Sequence, residues 1–197
     1  IIGATFGLLV AAITVSPIGR VSGAHMNPAV TLAFWFRGDV HRYDLVGFAV
    51  AQTLGALAGT GLFAWALGSW ASSIGFARTD PSPVGALGGV AIEAALTFGL
   101  ITTVFGLLAS RRLTRFTPAA VAVVLTLLIW VGSPPTGASL NPARSLAPAI
   151  IGGTYGDLWV YFAGPVLGAL AAVALAGAAG IVPLTPRLIR RTGDASA

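Results

Sequence analysis

Two tripeptides carry the chemistry this sequence can do. Asn27-Pro28-Ala29 and Asn141-Pro142-Ala143 stand 114 residues apart, behind the similar leads Ser22-Gly-Ala-His-Met and Thr136-Gly-Ala-Ser-Leu. Asn is a favoured helix N-cap, and Pro is best tolerated at the first helical position, where its missing N–H would have no partner. Each motif therefore predicts the start of a helix. The apolar run after the second, from Ala143 to Ile151, is too short to cross a bilayer. About ten residues reach roughly 15 Å, half the hydrocarbon core. Two such half-helices entering from opposite faces would meet N-terminus to N-terminus at mid-depth, each end carrying about half a positive charge. The leads Gly23-Ala24-His25 and Gly137-Ala138-Ser139 are expected to be extended and to present backbone carbonyls. Irregular backbone at that depth survives only buried in protein or lining a water-filled cavity. The chemistry implied is hydrogen bonding to a small polar molecule, with no covalent step. The competing reading, two surface turns, leaves the duplicated apolar tail without a purpose.

Two charged residues stand near these motifs. Arg144 follows the second Asn-Pro-Ala, where the first copy has Val30. A buried Arg at membrane depth costs about 3 kcal/mol or more and must face a cavity or a partner; the alternative is an Arg reaching out to the interface. Glu93 is the only acid well inside a predicted span. A lone carboxylate has nowhere to pass a proton, so the reading preferred over a proton relay is that it accepts hydrogen bonds from loop backbone. The chain has no Cys, which removes disulfides and thiol chemistry, and its two His, His25 and His41, are too far apart to suggest a metal site. No metal or other cofactor is expected.

The elements that must position these residues are membrane spans. Of 197 residues, 56% are hydrophobic and only 9% charged, against about a quarter charged in soluble domains. The mean hydropathy is +0.88. A soluble enzyme is excluded. Apolar segments at about 1–18, 45–70, 84–109, 118–132 and 158–184 predict five transmembrane helices. Gly3/Gly7, Gly55/Gly59 and Gly164/Gly168 are spaced for close helix packing. The net charge of +5 comes from scattered Arg without a single Lys, which suits anionic lipid heads and not nucleic acid. Arg20, Arg37, Arg42, Arg111, Arg112, Arg115, Arg187, Arg190 and Arg191 fall on one side, Arg78 and Arg144 on the other. By the positive-inside rule the first group is cytoplasmic, as is the C-terminus, and Ile1 starts outside. Ile1 lies within an apolar run that lacks a charged n-region, so the start does not read as a signal peptide.

The two motif copies, joined by Leu54-Gly-Ala-Leu57 and Leu167-Gly-Ala-Leu170 at an offset of 113, form a repeat. Three spans separate the copies, so the repeat is inverted in the membrane. The chain reads as one membrane domain, 1–197: an incomplete first repeat at about 1–70, a second at about 84–185, and a cytoplasmic tail at 186–197.

Ser22-Gly-Ala-His-Met-Asn-Pro-Ala-Val-Thr31 and Thr136-Gly-Ala-Ser-Leu-Asn-Pro-Ala-Arg-Ser145 resemble the paired signatures of the aquaporin, or major intrinsic protein, family, and the resemblance runs from about Phe6 to Ile181. It implies an all-α, right-handed helical bundle with an inverted repeat and two re-entrant half-helices. It also implies a passive, non-enzymatic channel for water and small neutral solutes in the plasma membrane, assembled as a homotetramer. Asn27 and Asn141 would donate to a central water, the carbonyls of Gly23, Ala24, His25, Gly137 and Ser139 would line the pore, and Glu93 would brace the second pore loop. Phe6, Ile129, Ala138 and Arg144 would form the selectivity filter. The family has six full spans, and the twin of Glu93 would lie 48 residues before Asn27, ahead of Ile1; the first family helix is therefore expected to be absent. Ile129 stands where water-selective members usually carry His and glycerol facilitators Gly, and with Ala138 it resembles the nodulin-type branch. Ser145 and the pair Tyr161-Phe162 resemble the water branch. Three alternatives accompany the water channel: a glycerol or metalloid-type facilitator, a secondary transporter, and a truncated non-conducting membrane protein.

Overall fold

The computed structural model describes residues 1–181, and the structured segments among them are helical. The expected tail at 186–197, the end of the second repeat and Arg187, Arg190 and Arg191 lie outside the described residues. Helix α1 (Ile2–Val15) is followed by a short α2 (Pro17–Ser22), the half-helix α3 (Pro28–Phe36) and the long α4 (Arg42–Leu67). A short α5 (Ser69–Ser73) leads through a 3-10 turn to α6 (Gly85–Leu108), after which come α7 (Thr117–Thr136), the half-helix α8 (Pro142–Gly152) and α9 (Val160–Ala178). The order α1–α3–α4 thus returns as α7–α8–α9, with α6 ahead of the second set.

The first expected span is shorter than the sequence suggested. Pro17 lacks an N–H and its ring collides with the preceding turn, so α1 stops at Val15 after 14 residues. Ser16, extended at ψ 160°, caps α2 by accepting the Gly19 N–H at 3.1 Å. Among the described residues, the five expected spans therefore become four helical segments long and apolar enough to cross a membrane (Arg42–Leu67, Gly85–Leu108, Thr114–Thr136 and Val160–Ala178), with α1 as a shorter apolar helix. In the opposite sense, α7 runs past the expected end at 132, through Pro134 and Pro135. Gly137, left-handed at φ 80°, then closes its last turn by donating to Ser133 O at 3.0 Å.

Small residues set the packing. Gly3 and Gly7 bring α1 against the backbone of α7, where Thr126 Oγ1 donates to Gly3 O at 3.2 Å. Gly164 and Gly168 bring α9 against Glu93, Ala94 and Phe98 of α6. Gly55 and Gly59 of α4, spaced in the same way, face open space among the described residues. Two apolar clusters fill the interior. One joins Ala29 and Ala33 of α3 to Ile101 and Phe105 of α6 and to the alanines of α9. The other joins Leu96 and Leu100 to Ile129, Ala138 and Leu140.

Candidate functional site

The site grows from the two Asn N-caps. Asn27 (φ −148°, ψ 118°) and Asn141 (φ −146°, ψ 108°) adopt the same extended conformation ahead of Pro28 and Pro142. Asn27 Oδ1 accepts the Ala29 N–H at 2.9 Å, and Asn141 Oδ1 accepts those of Ala143 at 3.0 Å and Arg144 at 3.4 Å. Each cap satisfies donors that a helix start leaves open. At 9 and 11 residues, α3 and α8 are roughly 14 and 16 Å long.

The other end of each amide crosses to the opposite loop. Asn27 Nδ2 donates to Leu140 O at 2.6 Å, and Asn141 Nδ2 donates to Met26 O at 2.9 Å. These reciprocal bonds, 113 and 115 residues apart in sequence, fix the two half-helix N-termini against each other. One proton of each amide is thereby committed to protein, which leaves one per Asn for a small polar guest. Neither Met26 nor Leu140 is singled out by residue type, because only their backbone takes part.

The leads are not extended as the sequence suggested. Gly23 (φ 69°), Ala24 (54°), Gly137 (80°), Ala138 (45°) and Leu140 (55°) are left-handed. The reason is local: α2 and α7 each end on a left-handed Gly, which turns the chain back toward the Asn. For the alanines and Leu140 this conformation costs about 1–2 kcal/mol each, so the surroundings must hold it.

For the second lead, the holder is Glu93. Its carboxylate has no exposure. Oε1 accepts from Ser139 N at 2.9 Å and Thr136 Oγ1 at 2.7 Å, and Oε2 accepts from Leu140 N at 2.7 Å. Ser139 Oγ adds bonds to Asn141 O at 2.9 Å and Ser145 Oγ at 2.6 Å, and Ser145 Oγ continues to Thr79 Oγ1 at 2.8 Å. Tyr161 Oη donates to Thr136 O at 2.7 Å. Sequence reasoning singled out Glu93 but missed the roles of Thr136, Thr79 and Tyr161 in this network.

The first lead is held differently. Gln52 of α4 donates Nε2 to His25 O at 2.7 Å and to Thr31 Oγ1 at 2.9 Å. That bond occupies His25 O, one of the expected pore carbonyls. The His25 ring lies 4.7 Å from that of Phe34 and 5.2 Å from Phe48. At the far end of α3, the Arg37 side chain, only 8% exposed, pairs with Asp39 at 2.5 Å. Its guanidinium lies 4.1 Å from the Phe105 ring centroid and 5.0 Å from that of Phe34. Neither Gln52 nor the Arg37 clasp was picked out from the sequence.

Of the four filter candidates, the structure brings Ile129 and Ala138 together, both buried in the cluster with Leu96 and Leu140. Arg144 turns to the loop after α5 and donates Nη1 to Ala77 O at 2.8 Å. Phe6 lies beside Gly7 on α1 and is 43% exposed. Val30, the first-repeat counterpart of Arg144, packs against both apolar clusters.

Fold and site together define an all-helical membrane protein built on an inverted repeat, with two half-helices docked N-terminus to N-terminus. A family model described as "Major intrinsic protein" matches residues 1–176. The chain is 40% identical to the lens fiber major intrinsic protein of Gallus gallus, over 86% of this chain and 65% of that protein. It is 36% identical to the probable aquaporin TIP2-2 of Oryza sativa subsp. japonica, over 96% of this chain and 70% of that protein. The X-ray structure of the aquaglyceroporin from Plasmodium falciparum shares the fold, with a TM-score of 0.77 at 20% identity over 88% of this chain and 79% of that one. The chain belongs to the major intrinsic protein family, the aquaporins. It spans 65% and 70% of the length of those two curated relatives.

Proposed function

We propose that this chain is a passive transmembrane channel that conducts water and small neutral solutes and excludes protons and ions. The observation that carries the reading is the reciprocal pair of bonds, Asn27 to Leu140 O and Asn141 to Met26 O. They tie the two positive helix ends to each other and leave each amide one proton for a guest. A water there accepts from both Asn side chains, so its own hydrogens point outward and it cannot relay a proton. The half-helix dipoles repel cations at the same point, and Arg144 adds positive charge beyond it. A secondary-transport reading is less well supported. The acids in the described helices are Asp44, in the first turn of α4, and Glu93, whose carboxylate already accepts three bonds. The reaction class is diffusion without a chemical step. The location is the plasma membrane, the arginine-rich face is cytoplasmic, and the assembly is a homotetramer with one pore per subunit.

The test is flux through proteoliposomes. Stopped-flow shrinkage should show water permeability well above empty vesicles, with slower glycerol entry, and a pH-gradient dye should show no proton leak. Asn141→Asp places a negative charge between the dipoles and should admit cations or protons at least tenfold above the parent. Water flux no greater than that of empty vesicles overturns the channel reading; an Asp variant as tight as the parent overturns the central barrier.

A further inference from the structure

The arginines on the two faces of the bundle are treated differently. On the α5 face, Arg78 pairs with Asp80 at 3.2 Å and Arg144 is spent on Ala77 O at 2.8 Å. On the opposite face Arg37 is clasped by Asp39 and two aromatic rings. The connection between α6 and α7 follows neither pattern. Arg111, Arg112 and Arg115 are exposed, and no acid stands among residues 109–117. Among the described residues, the ion pairs are those of Arg37 and Arg78. Three guanidinium groups within five residues thus lie open together.

The connection is nonetheless ordered. Leu113 N donates to Ser110 O at 3.0 Å, Thr114 N to Ser110 O at 2.9 Å, and Phe116 N to Leu113 O at 2.9 Å. This run of turns interleaves the arginines with two apolar side chains, Leu113 (45% exposed) and Phe116 (49%). The Arg115 guanidinium lies 4.7 Å from the Phe116 ring centroid. The loop caps two helices of membrane-spanning length and composition, so it sits at headgroup level. There, apolar side chains reach toward acyl chains while guanidinium groups stay with phosphates.

We propose that the loop carrying Arg111, Arg112 and Arg115 is a binding surface for anionic phospholipid headgroups, with Leu113 and Phe116 seated in the adjoining acyl region. Charge complementarity selects the occupant: three exposed cations with no acid beside them attract anionic phosphates, and a second phosphate-bearing lipid can answer each further arginine. A soluble phosphate offers the same oxygens but no acyl chain for Leu113 and Phe116. The inference does not depend on what the pore conducts.

The experiment is native mass spectrometry of the 197-residue chain in a mild nonionic detergent, titrated with phosphatidylglycerol, phosphatidylcholine or glycerophosphate at low and high salt. Near a membrane, an arginine contributes about fivefold to anionic lipid affinity. The parent should therefore bind phosphatidylglycerol at least tenfold more tightly than phosphatidylcholine, with the preference shrinking at high salt and glycerophosphate failing to compete. R111Q/R112Q/R115Q should lose most of the preference, R111K/R112K/R115K should keep most of it, and R20Q/R42Q should leave it nearly intact. Leu113→Ser with Phe116→Ser should weaken both lipids together. A glutamine triple variant that keeps the full preference overturns the proposal. So does a lysine variant that loses as much as the glutamine one, or competition by glycerophosphate at lipid-equivalent concentration.

Discussion

The two pore loops share a motif and a backbone conformation at the Asn, yet they are held by different means. Residues 137–141 are tied close to the cap: a buried carboxylate on α6 takes two backbone N–H groups and a hydroxyl. Residues 23–27 are tied by their carbonyl side, through Gln52 on α4, and their half-helix is clasped at its far end by Arg37. Where the second loop has acceptors opposite Ser139 N and Leu140 N, the described residues offer none to the twin groups, His25 N and Met26 N. His25 Nδ1 and Gln52 Oε1 are likewise buried without partners among them. The helix faces differ in parallel: Gly168 is pressed onto α6, while its repeat twin Gly55 faces open space. Among the described residues, the duplicated sequence copies the local cap, while the groups that hold the two caps differ.

That asymmetry can be broken at its strong end first. Glu93→Ala leaves two buried backbone N–H groups without their acceptor, while the Thr136 hydroxyl keeps Gly132 O at 3.2 Å. The expected destabilisation is roughly 2–6 kcal/mol, from about 1–3 per unsatisfied donor, read as a lower thermal midpoint of helical circular dichroism in detergent. A shift near zero would mean that the second loop holds itself.

Removing the clasp should rank next. Arg37→Ala strips a desolvated cation from two rings and leaves Asp39 unpaired, an expected loss of roughly 2–3 kcal/mol. Amide exchange should rise in residues 23–27 more than in 137–141. Equal acceleration in both loops would show that the clasp supports the bundle at large and not the first half-helix.

The glycine twins sharpen the comparison without touching either loop. A Cβ at Gly168 would meet the Ala94 backbone of α6, so Gly168→Ala should cost roughly 1–3 kcal/mol by overpacking. Gly55→Ala has room and should be neutral or slightly stabilising in the same melt. Of the two loop supports, the smaller loss is expected at Gln52→Ala, roughly 1–2 kcal/mol for a carbonyl deprived of its donor, with faster exchange confined to the first loop. A larger loss than for Glu93→Ala would reverse the ranking of the two supports.

Much of the architecture was legible in the sequence because membranes restrict the options. Hydrocarbon demands helices, so hydropathy located the long ones, and their observed bounds differ from the expected ones by a few residues. The errors have local causes. Pro17 ended α1 early, whereas Pro134 and Pro135 did not end α7, since Gly137 and Ser133 close its final turn. The lead segments were expected to be extended, but left-handed residues after α2 and α7 turn them back.

What the sequence by itself determined is what depends on near neighbours in the chain or on the membrane as solvent. Asn followed by Pro sets a helix start, because the cap reaches a donor two residues away. The second apolar tail was too short to span, and the repeated lead implied a partner coming from the opposite face. Only the tertiary structure decided which distant atoms meet: Asn27 with Leu140 O, Asn141 with Met26 O, Arg144 with Ala77 O, and Arg37 with Phe105. Three of these four acceptors are backbone carbonyls, which every residue carries and no residue type advertises. The physical reason is that hydrogen bonds are specific in space but generic in sequence, so these pairings exist only once the packed helices have fixed where each carbonyl points.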